Sequence, residues 1–380
     1  METDVLEHPA VKAWIKLQPD RVEPASIEIL DSKKGAWIKL QSERAEPESI
    51  ESLDRKARAW IRFRSERVEP ENTDILKERR FIYRLKGVGP EGAAVIAKQC
   101  EQHDGMMEHA IYKEILSRLP VPSLRCYGFV EEPNDEFCWL FLEDAGTEVF
   151  RFRIREHRAL AARWLGLMHT SAVHVAARVR LPDRGPDYYL EHLQLARDTT
   201  QRAIANFANS TLSRDDLFVL ESIVSQCNVL ESCWSKVERF CHRMPQTLVH
   251  SDFAARNIRV RNGHTGIALL PFDWEMAGWG IPSADLAYLE QADLAIYWSV
   301  VRRSWQYLDV QDIQQMANLG GIFRGLAAIS WERWHFEYSW ENWPPQYSVL
   351  KYETIKRAVM SLKVCEVRIA DAMRAARWDD

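Results

Sequence analysis

Hydrophobic positions follow three different patterns along the chain. Up to residue 80, short apolar segments alternate with charged ones, while residues 81–145 contain runs such as FIYRLKGV, AAVIAKQC, CYGFV and FCWLFLEDAG. These short apolar runs, several with alternating polar positions, are typical of strands in an antiparallel sheet. From residue 146 onward, apolar residues recur at helical spacing. The pattern predicts an α+β fold with an N-terminal arm at 1–80, a small antiparallel sheet with one helix at 81–145, and a mainly helical region at 146–380.

The N-terminal arm contains a tandem repeat. Three copies of 23 residues begin at Ala13, Ala36 and Ala59, and the first two agree at fifteen of the 23 positions. We predict that each copy is a short apolar segment followed by a helix that begins at a Glu-Pro pair, because proline suits the first helical turn. Two interpretations stay open. The copies either stack as an interaction platform, or they duplicate one arm whose third copy packs on the next region while the others are appended. The narrow apolar face of each predicted helix favours duplication.

Composition and net charge exclude some classes of function, but they do not select a single one. The 380 residues are 46% hydrophobic and 28% charged, with a net charge of -5 and an isoelectric point near 6.2. These values are typical of a soluble globular protein, and they give no electrostatic reason to expect nucleic acid or an anionic membrane as partner. The seven cysteines include no CxxC pair, no apolar run is long enough for a bilayer, and the N-terminus lacks a signal-peptide pattern. We therefore expect reduced thiols and a cytoplasmic protein.

The most informative stretch is HSDFAARNIRVRNGHTGIALLPFDWE, which begins at His250. It places His250, Asp252 and Asn257 on one short segment, followed by two apolar runs, IRV and IALLPF, with the turn signal RNG between them. We predict a loop, a strand, a hairpin turn and a second strand. Such a hairpin returns Asp273 close to Asn257.

Phosphoryl transfer is the chemistry that needs this arrangement. Amide and carboxylate oxygens hold Mg²⁺ against nucleotide phosphates, while a second carboxylate orients the attacking hydroxyl. Asn257 and Asp273 fit the metal role, Asp252 fits the role of the base, and His250 is expected to hold the loop. Arg256 is a candidate for steadying the transferred phosphoryl group or the acceptor, and its alternative is an ordinary surface salt bridge.

The same residues carry a family resemblance. HSDFAARN resembles the catalytic loop of the protein-kinase-like superfamily, and FDWEMAGWGIPSADLAYLE resembles its aminoglycoside phosphotransferase and choline kinase branch. The resemblance covers Phe81 to Leu289. It implies a bilobal kinase-like fold, ATP or GTP as phosphoryl donor, Mg²⁺, and a hydroxyl of a small molecule as acceptor. It also implies that Asp285 rigidifies the catalytic loop. Ser251 departs from the pattern, because the antibiotic-kinase branch usually has glycine there.

The resemblance extends to a nucleotide-binding group in the strand-rich region. Lys98 resembles the strand lysine that binds phosphates, and Glu108 resembles the helix glutamate that pairs with it, with Glu114 as the competitor. The turn GVGPEG, which contains Gly89, would cover the phosphates, and backbone groups of the hinge from Leu142 to Gly146, which contains Glu143, would bind the adenine edge. GVGPEG also fits GxGxxG, but a strand is predicted after it instead of a helix, which excludes a dinucleotide site.

Two other functions, those of a protein kinase and of a nucleotide-binding scaffold, are alternatives to a small-molecule kinase. Only eleven residues separate Asp273 from Asp285, which leaves no room for the activation segment of a protein kinase. A nucleotide-binding scaffold that uses the repeats for a protein partner is the other rival, although it has no need of every motif residue. The acceptor stays open among aminoglycosides, choline-like amino alcohols, macrolides and sugars. The tryptophan-rich segment 331–347 either walls the acceptor pocket, with acids such as Glu332 attracting an amine, or packs helices.

Overall fold

The computed structural model describes residues 8–17, 26–30, 82–131, 137–175, 179–207, 212–263, 266–337 and 348–376. The chain divides into two compact units, unit 1 (Met1–His109 with Leu124–Ala145) and unit 2 (Ala110–Ser123 with Gly146–Asp380). The second and third repeat copies, at 36–58 and 59–81, lie outside the described residues. The predicted α+β architecture is confirmed, because unit 1 is built on an antiparallel sheet and unit 2 is mainly helical.

Unit 1 is organised around a five-stranded sheet. The strands lie in the order β1-β2-β3-β5-β4, and every neighbouring pair is antiparallel. They are β1 (Ser26–Ile29), β2 (Ile82–Lys86), β3 (Val95–Glu101), β4 (Cys126–Glu131) and β5 (Phe137–Glu143), with helix α1 (Pro9–Leu17) before the sheet and helix α2 (Gln102–Ala110) directly after β3. Because β3 lies in the middle of the sheet, it pairs with a neighbouring strand along each edge, and most of its side chains are buried.

The first repeat copy contributes to this sheet, and its predicted helix was wrong. The stretch after its Glu-Pro pair forms β1, in which Ser26 faces Lys86 and Ile29 faces Tyr83 across the ladder to β2. The helix lies earlier, at Pro9–Leu17, and starts before the repeat does. Ser-Ile-Glu-Ile has the period-two pattern of a strand, and pairing with β2 outweighs the local preference for a helix after proline. The expectation that the first copy is merely appended was therefore also wrong.

Trp14 anchors α1 in the core of unit 1. Its side chain is fully buried, and its ring centroid lies 5.9 Å from that of Tyr127 and 5.2 Å from that of Phe141. Ala10 and Val11, one turn earlier on the same helix, are also fully buried. An indole buried among aromatic rings removes much apolar surface from water, so α1 is an integral part of the core.

Unit 2 combines a helical body with two small β elements. The strands β6 (Asp183–Arg184), β10 (Gly278–Gly280) and β7 (Thr247–Val249) form a three-stranded sheet, and β8 (Ile258–Gly263) and β9 (Gly266–Pro271) form a hairpin. The helices are α3 (Arg155–Ala172), α4 (Pro186–Phe207), α5 (Arg214–Ser232), α6 (Trp234–Arg243), α7 (Ser283–Leu286), α8 (Gln291–Val301), α9 (Val310–Trp331), α10 (Arg333–Glu337) and α11 (Ser348–Ala376). Residues 110–123, which continue from α2, group with this unit.

Helix α9 approaches the start of α7 very closely. A Cβ placed on Gly320 would lie 1.9 Å from the carbonyl oxygen of Ser283, so only glycine allows this backbone contact. Arg324 lies one helical turn later and therefore on the same face of α9. The close approach at Gly320 thus determines how near Arg324 comes to the loops around α7.

None of the described helices combines the length and the apolar character that a membrane-crossing segment requires. All seven cysteines are free thiols, as their spacing predicts, and Cys100, Cys138, Cys227, Cys241 and Cys365 are buried.

Candidate active site

The loop after β7 is fixed by the buried carboxylate of Asp285. The backbone amides of His250 and Ser251 each donate to this carboxylate at 2.8 Å, one to each oxygen. Ser251 has a positive φ of 61°, a conformation that a side chain other than glycine rarely adopts. The contact expected of Asp285 is therefore present, and it stabilises a turn that would otherwise be strained.

Beneath the loop, His169 extends the same hydrogen-bond network. Its Nε2 lies 3.2 Å from Asp285 Oδ2, and its Nδ1 lies 3.0 Å from the hydroxyl of Tyr297. Because a carboxylate only accepts, Nε2 carries the proton and Nδ1 accepts from the phenol. Burial raises the pKa of Tyr297 well above its usual value, which keeps the phenol as a donor. His169 is a buried core histidine, as predicted.

Three donors converge on the carboxylate of Asp252. Arg324 Nη2 donates to Oδ1 at 2.5 Å, while Arg256 Nη2 and Asn257 Nδ2 donate to Oδ2 at 2.5 and 2.8 Å. The residue is 6% exposed. Charge-assisted hydrogen bonds to both oxygens fix the plane of this carboxylate. A carboxylate fixed in this way can receive a hydroxyl group in one defined orientation.

The β8–β9 hairpin brings Asn257 and Asp273 to the same end. Ile258 pairs with Pro271, and the amide of Phe272 donates to the carbonyl of Asn257 at 2.9 Å. The predicted hairpin is thus confirmed, although the RNG turn signal lies within β8, which continues to Gly263. The strand outlasts the signal because cross-strand pairing continues to Gly263↔Gly266.

Two features at that end suit a cation with oxygen ligands. The amide nitrogen of Asn257 donates to Asp252 O and Oδ2, so its Oδ1 is the atom left to bind a cation. Asp273 has φ 69° and ψ 64°, a left-handed conformation that costs free energy outside glycine. His250 is expected to hold the loop, and its Nε2 lies 3.0 Å from Phe272 O, which joins the loop to the second strand of the hairpin. The oxygen donors of Asn257 and Asp273 fit Mg²⁺.

In unit 1, Lys98 and Glu108 form a buried ion pair. Lys98 Nζ lies 2.7 Å from Glu108 Oε2, and the two side chains are 8% and 0% exposed. The competitor Glu114 instead pairs with Arg118 on the surface of the chain. A buried lysine held by a carboxylate keeps its charge in one place, as a phosphate-binding lysine must.

Gly89 and Glu143, the other residues predicted to bind the nucleotide, lie at the ends of strands in unit 1. The amide of Gly89 donates to Ala93 O at 2.8 Å, and a Cβ at Gly89 would lie 2.9 Å from that oxygen, so the turn between β2 and β3 requires glycine here. A strand follows the turn, which confirms that GxGxxG does not open a helix. The amide of Glu143 donates to Arg125 O at 2.8 Å, and Glu143 Oε2 accepts from Arg125 N at 3.0 Å.

Comparison with known proteins decides the family. The model of the phosphotransferase enzyme family (APH) matches residues 75–307, which is more than half of the 380 residues. The chain belongs to this family. It is therefore an enzyme, a phosphotransferase. No curated protein sequence matches it.

Solved structures of other phosphotransferases have a similar fold at low identity. The GDP complex of wild-type aminoglycoside 2'-phosphotransferase-IIIa aligns with a TM-score of 0.51 and 11% identity, over 94% of this chain and 97% of that chain. Choline kinase from Cryptosporidium parvum Iowa II aligns with a TM-score of 0.48 and 10% identity, over 77% of this chain and 87% of that chain. The first of these likenesses supports the kinase-like fold alone.

Arg324 belongs to the candidate site, and the sequence motifs missed it. It is 3% exposed, and its Nη1 donates to Ser251 O at 2.6 Å while Nη2 binds Asp252. Burial alone would lower the pKa of Arg324, but Asp252 and Tyr288 raise it above the usual value for arginine. The signal available in the sequence was a single arginine within the apolar run GGIFRGLAAIS of α9, since a buried charge requires a partner.

Proposed function

We propose that this phosphotransferase moves the γ-phosphoryl group of ATP or GTP to a hydroxyl of a small molecule, with Mg²⁺ as cofactor. The observation that carries the proposal is the fixed carboxylate of Asp252, held by Arg256, Asn257 and Arg324 beside the end of the hairpin that bears Asp273. In phosphoryl transfer, positioning and charge neutralisation supply most of the rate enhancement.

Each residue then has one role. Asp252 accepts the hydrogen bond of the acceptor hydroxyl, aligns the oxygen for in-line attack, and takes its proton as the new P–O bond forms. Asn257 Oδ1 and a carboxylate oxygen of Asp273 would hold the metal. Bound Mg²⁺ would neutralise charge on the nucleotide phosphates. Arg256, whose side chain is 44% exposed, is available to steady the transferred phosphoryl group.

In unit 1, Lys98 would bind the nucleotide phosphates, with Glu108 fixing its position. The pairing at 2.7 Å supports this role, because the ammonium group is held in one place before the nucleotide arrives. The turn at Gly89 would bring backbone amides near the phosphates, and the hinge from Leu142 to Gly146, which contains Glu143, would bind the base.

Release of ADP or GDP by purified protein, with Mg²⁺ and a panel of hydroxyl compounds, tests the proposal. Asp252→Asn keeps the size of the side chain and removes the base, so acceptor-dependent release should fall by about two orders of magnitude or more while nucleotide affinity stays near normal. Asp215→Asn, an exposed acid on α5, is the matched control and should change neither. Undiminished turnover in Asp252→Asn would remove Asp252 from the mechanism. Nucleotide binding without release for any acceptor would favour the scaffold.

A further inference from the structure

Guanidinium groups surround the candidate base. Arg256 and Arg324 bind Asp252 directly. Two more lie on neighbouring elements: Arg184 Cζ is 4.3 Å from the ring centroid of Tyr188 on α4, and Arg368 Nη1 on α11 donates to the hydroxyl of Tyr288 at 3.3 Å. Asp252 acts electrostatically on both of these phenols.

The pKa of Tyr288 indicates that the electrostatic potential around its hydroxyl is positive. Burial alone would raise the pKa of its phenol, yet Arg324 and Arg368 together hold the pKa below the usual value. Its oxygen therefore occupies a position between two cations that favours negative charge. On α4, burial and then Arg184 lower the pKa of His192 to about 4, so this imidazole is neutral at physiological pH.

The four acids considered near these arginines are paired, exposed to solvent or partly protonated. Asp252 is already paired twice, and Asp285 is engaged by two backbone amides and His169. Glu191 on α4 is exposed to solvent. Burial raises the pKa of Glu332, at the end of α9, to about 7, which leaves it partly protonated near neutral pH. None of these four acids therefore offers an incoming ammonium group a buried carboxylate that is both unpaired and fully charged.

The side chains of Arg184, Tyr188, Tyr288 and Arg368 are partly exposed, so a solute can reach them. Arginine binds oxyanions with two parallel hydrogen bonds, and it is the side chain best suited to carboxylate or phosphate recognition. A polycationic or quaternary acceptor would be repelled here, whereas an anion would be attracted.

We propose that the acceptor is a hydroxyl compound that also carries an oxyanion, and that Arg368 and Tyr288 bind the oxyanion while the hydroxyl meets Asp252. This substrate class rests on the proposed phosphoryl transfer. It contrasts with amine-bearing acceptors, for which acids in the pocket would be required.

A matched set of sugars separates the charge classes. Glucose, glucosamine, glucuronate and glucose 6-phosphate share a ring with hydroxyls and differ in charge, and the last two distinguish a carboxylate from a phosphate. We expect glucuronate or glucose 6-phosphate to bind at least tenfold more tightly than glucosamine in calorimetric titration of the full chain with Mg²⁺ and a non-hydrolysable nucleotide. Nucleotide release with ATP should follow the same order.

Arg368→Gln tests the named residue, and Arg374→Gln on the same helix is its control. Arg374 is 67% exposed and pairs with Asp371. Arg368→Gln should weaken oxyanion binding about tenfold or more and leave glucose binding unchanged, whereas Arg374→Gln should change neither.

The outcomes separate this inference from the proposed function. Preferential binding and turnover of glucosamine would overturn the inference and leave phosphoryl transfer standing. Equal affinity for all four sugars, or oxyanion binding that does not depend on Arg368, would also overturn it. Oxyanion binding that depends on Arg368, without turnover of any acceptor, would support the anion site and count against phosphoryl transfer.

Discussion

Arg324 and Asp252 lie 72 positions apart in the sequence, and they form a buried ion pair with 2.5 Å between Nη2 and Oδ1. The same guanidinium also donates to Ser251 O, so a single side chain of α9 fixes both the backbone and the carboxylate of the loop after β7. Breaking a buried pair leaves the remaining charge uncompensated, which is more costly than losing a surface pair. Arg324 is therefore a positioning residue for Asp252.

Arg324→Met should lower kcat about a hundredfold, because a base displaced by about 1 Å no longer aligns the hydroxyl. The KM for the nucleotide should stay within about threefold, since Lys98 and Glu108 are unchanged. Arg324→Lys keeps the charge with fewer donors and should restore part of kcat. Steady-state kinetics of the three proteins check this, and wild-type kcat in Arg324→Met would contradict a positioning role.

Gly320 should be far less tolerant of substitution than its neighbour. In Gly320→Ala the new methyl group would lie 1.9 Å from Ser283 O, so α9 must move away from α7 and carry Arg324 with it. We expect a loss of at least about 3 kcal/mol in the free energy of unfolding, with a parallel fall in kcat.

Gly321→Ala is the control for that substitution. Its methyl group would lie 3.2 Å from the Cβ of Ala372 and 3.9 Å from the Cγ of Arg368, and alanine is the better helix former by about 1 kcal/mol. Urea unfolding should show this variant within about 1 kcal/mol of the wild type. Equal destabilisation by the two substitutions would mean that contact with Ser283 does not determine the position of α9.

The loop after β7 and the hairpin were predictable because their signals are local. His250, Asp252 and Asn257 fall within eight residues, and the alternating runs after them specify a hairpin whatever surrounds it. Glu108 could likewise be preferred over Glu114 because its surrounding sequence resembles the helix whose glutamate pairs with the strand lysine, and the ion pair forms as expected.

Long-range contacts account for what the sequence did not predict. A proline near the start of β1 favours a helix locally, whereas the partner strand β2 lies about fifty residues further along the chain. Arg324 carries no motif, and its role depends on how α9 packs against α7. Both errors arise where tertiary pairing overrides a local preference.

Trp14 should be essential to unit 1, in contrast to the tryptophans at the same position of the other repeat copies. Trp14→Ala removes a fully buried indole that contacts Tyr127 and Phe141, and we expect a loss of about 3–5 kcal/mol in stability. Chemical unfolding followed by circular dichroism measures it. Trp37→Ala and Trp60→Ala are the matched variants.

The second copy is a poor replacement for the first. Ala10 and Val11 are fully buried on α1, and the residues 23 positions later are Lys33 and Lys34. Burying a lysine without a partner costs several kcal/mol, so the second copy should not take the place of the first. Substitution of Trp37 should then leave the unfolding transition within about 0.5 kcal/mol of the wild type. A loss equal to that of Trp14→Ala would show that the copies contribute alike.

Glu108→Gln should weaken nucleotide binding, because Lys98 loses the carboxylate that holds it at 2.7 Å. We expect Kd for the Mg-nucleotide to rise about tenfold or more, from the loss of one buried charge-assisted contact. Glu114→Gln disrupts only the exposed pair with Arg118 and should leave Kd unchanged. Fluorescence titration with a labelled nucleotide distinguishes the two. Equal Kd values for the two variants would show that Lys98, as held by Glu108, does not contribute to nucleotide binding.

The free energy of unfolding should fall as the pH rises from mildly acid to neutral, because of the buried side chain of Glu332. Burial raises its pKa in the folded protein from 4.5 to about 7, so the unfolded chain loses this proton first as the pH rises. The contribution of Glu332 is thus fully present below about pH 4.5 and is lost by about pH 7, with a total of about 3 kcal/mol at most.

Glu332→Gln removes that dependence while keeping a polar side chain next to Ser361. The variant should therefore be more stable than the wild type at pH 8, and the difference should shrink at pH 5 and vanish below pH 4.5. Glu353→Gln, an exposed acid on α11, should show the same small difference at both pH values. Urea unfolding of the three proteins at pH 5 and pH 8 provides the comparison. If the advantage of Glu332→Gln over the wild type were as large at pH 5 as at pH 8, the carboxylate of Glu332 would not be the group whose proton is lost across this range.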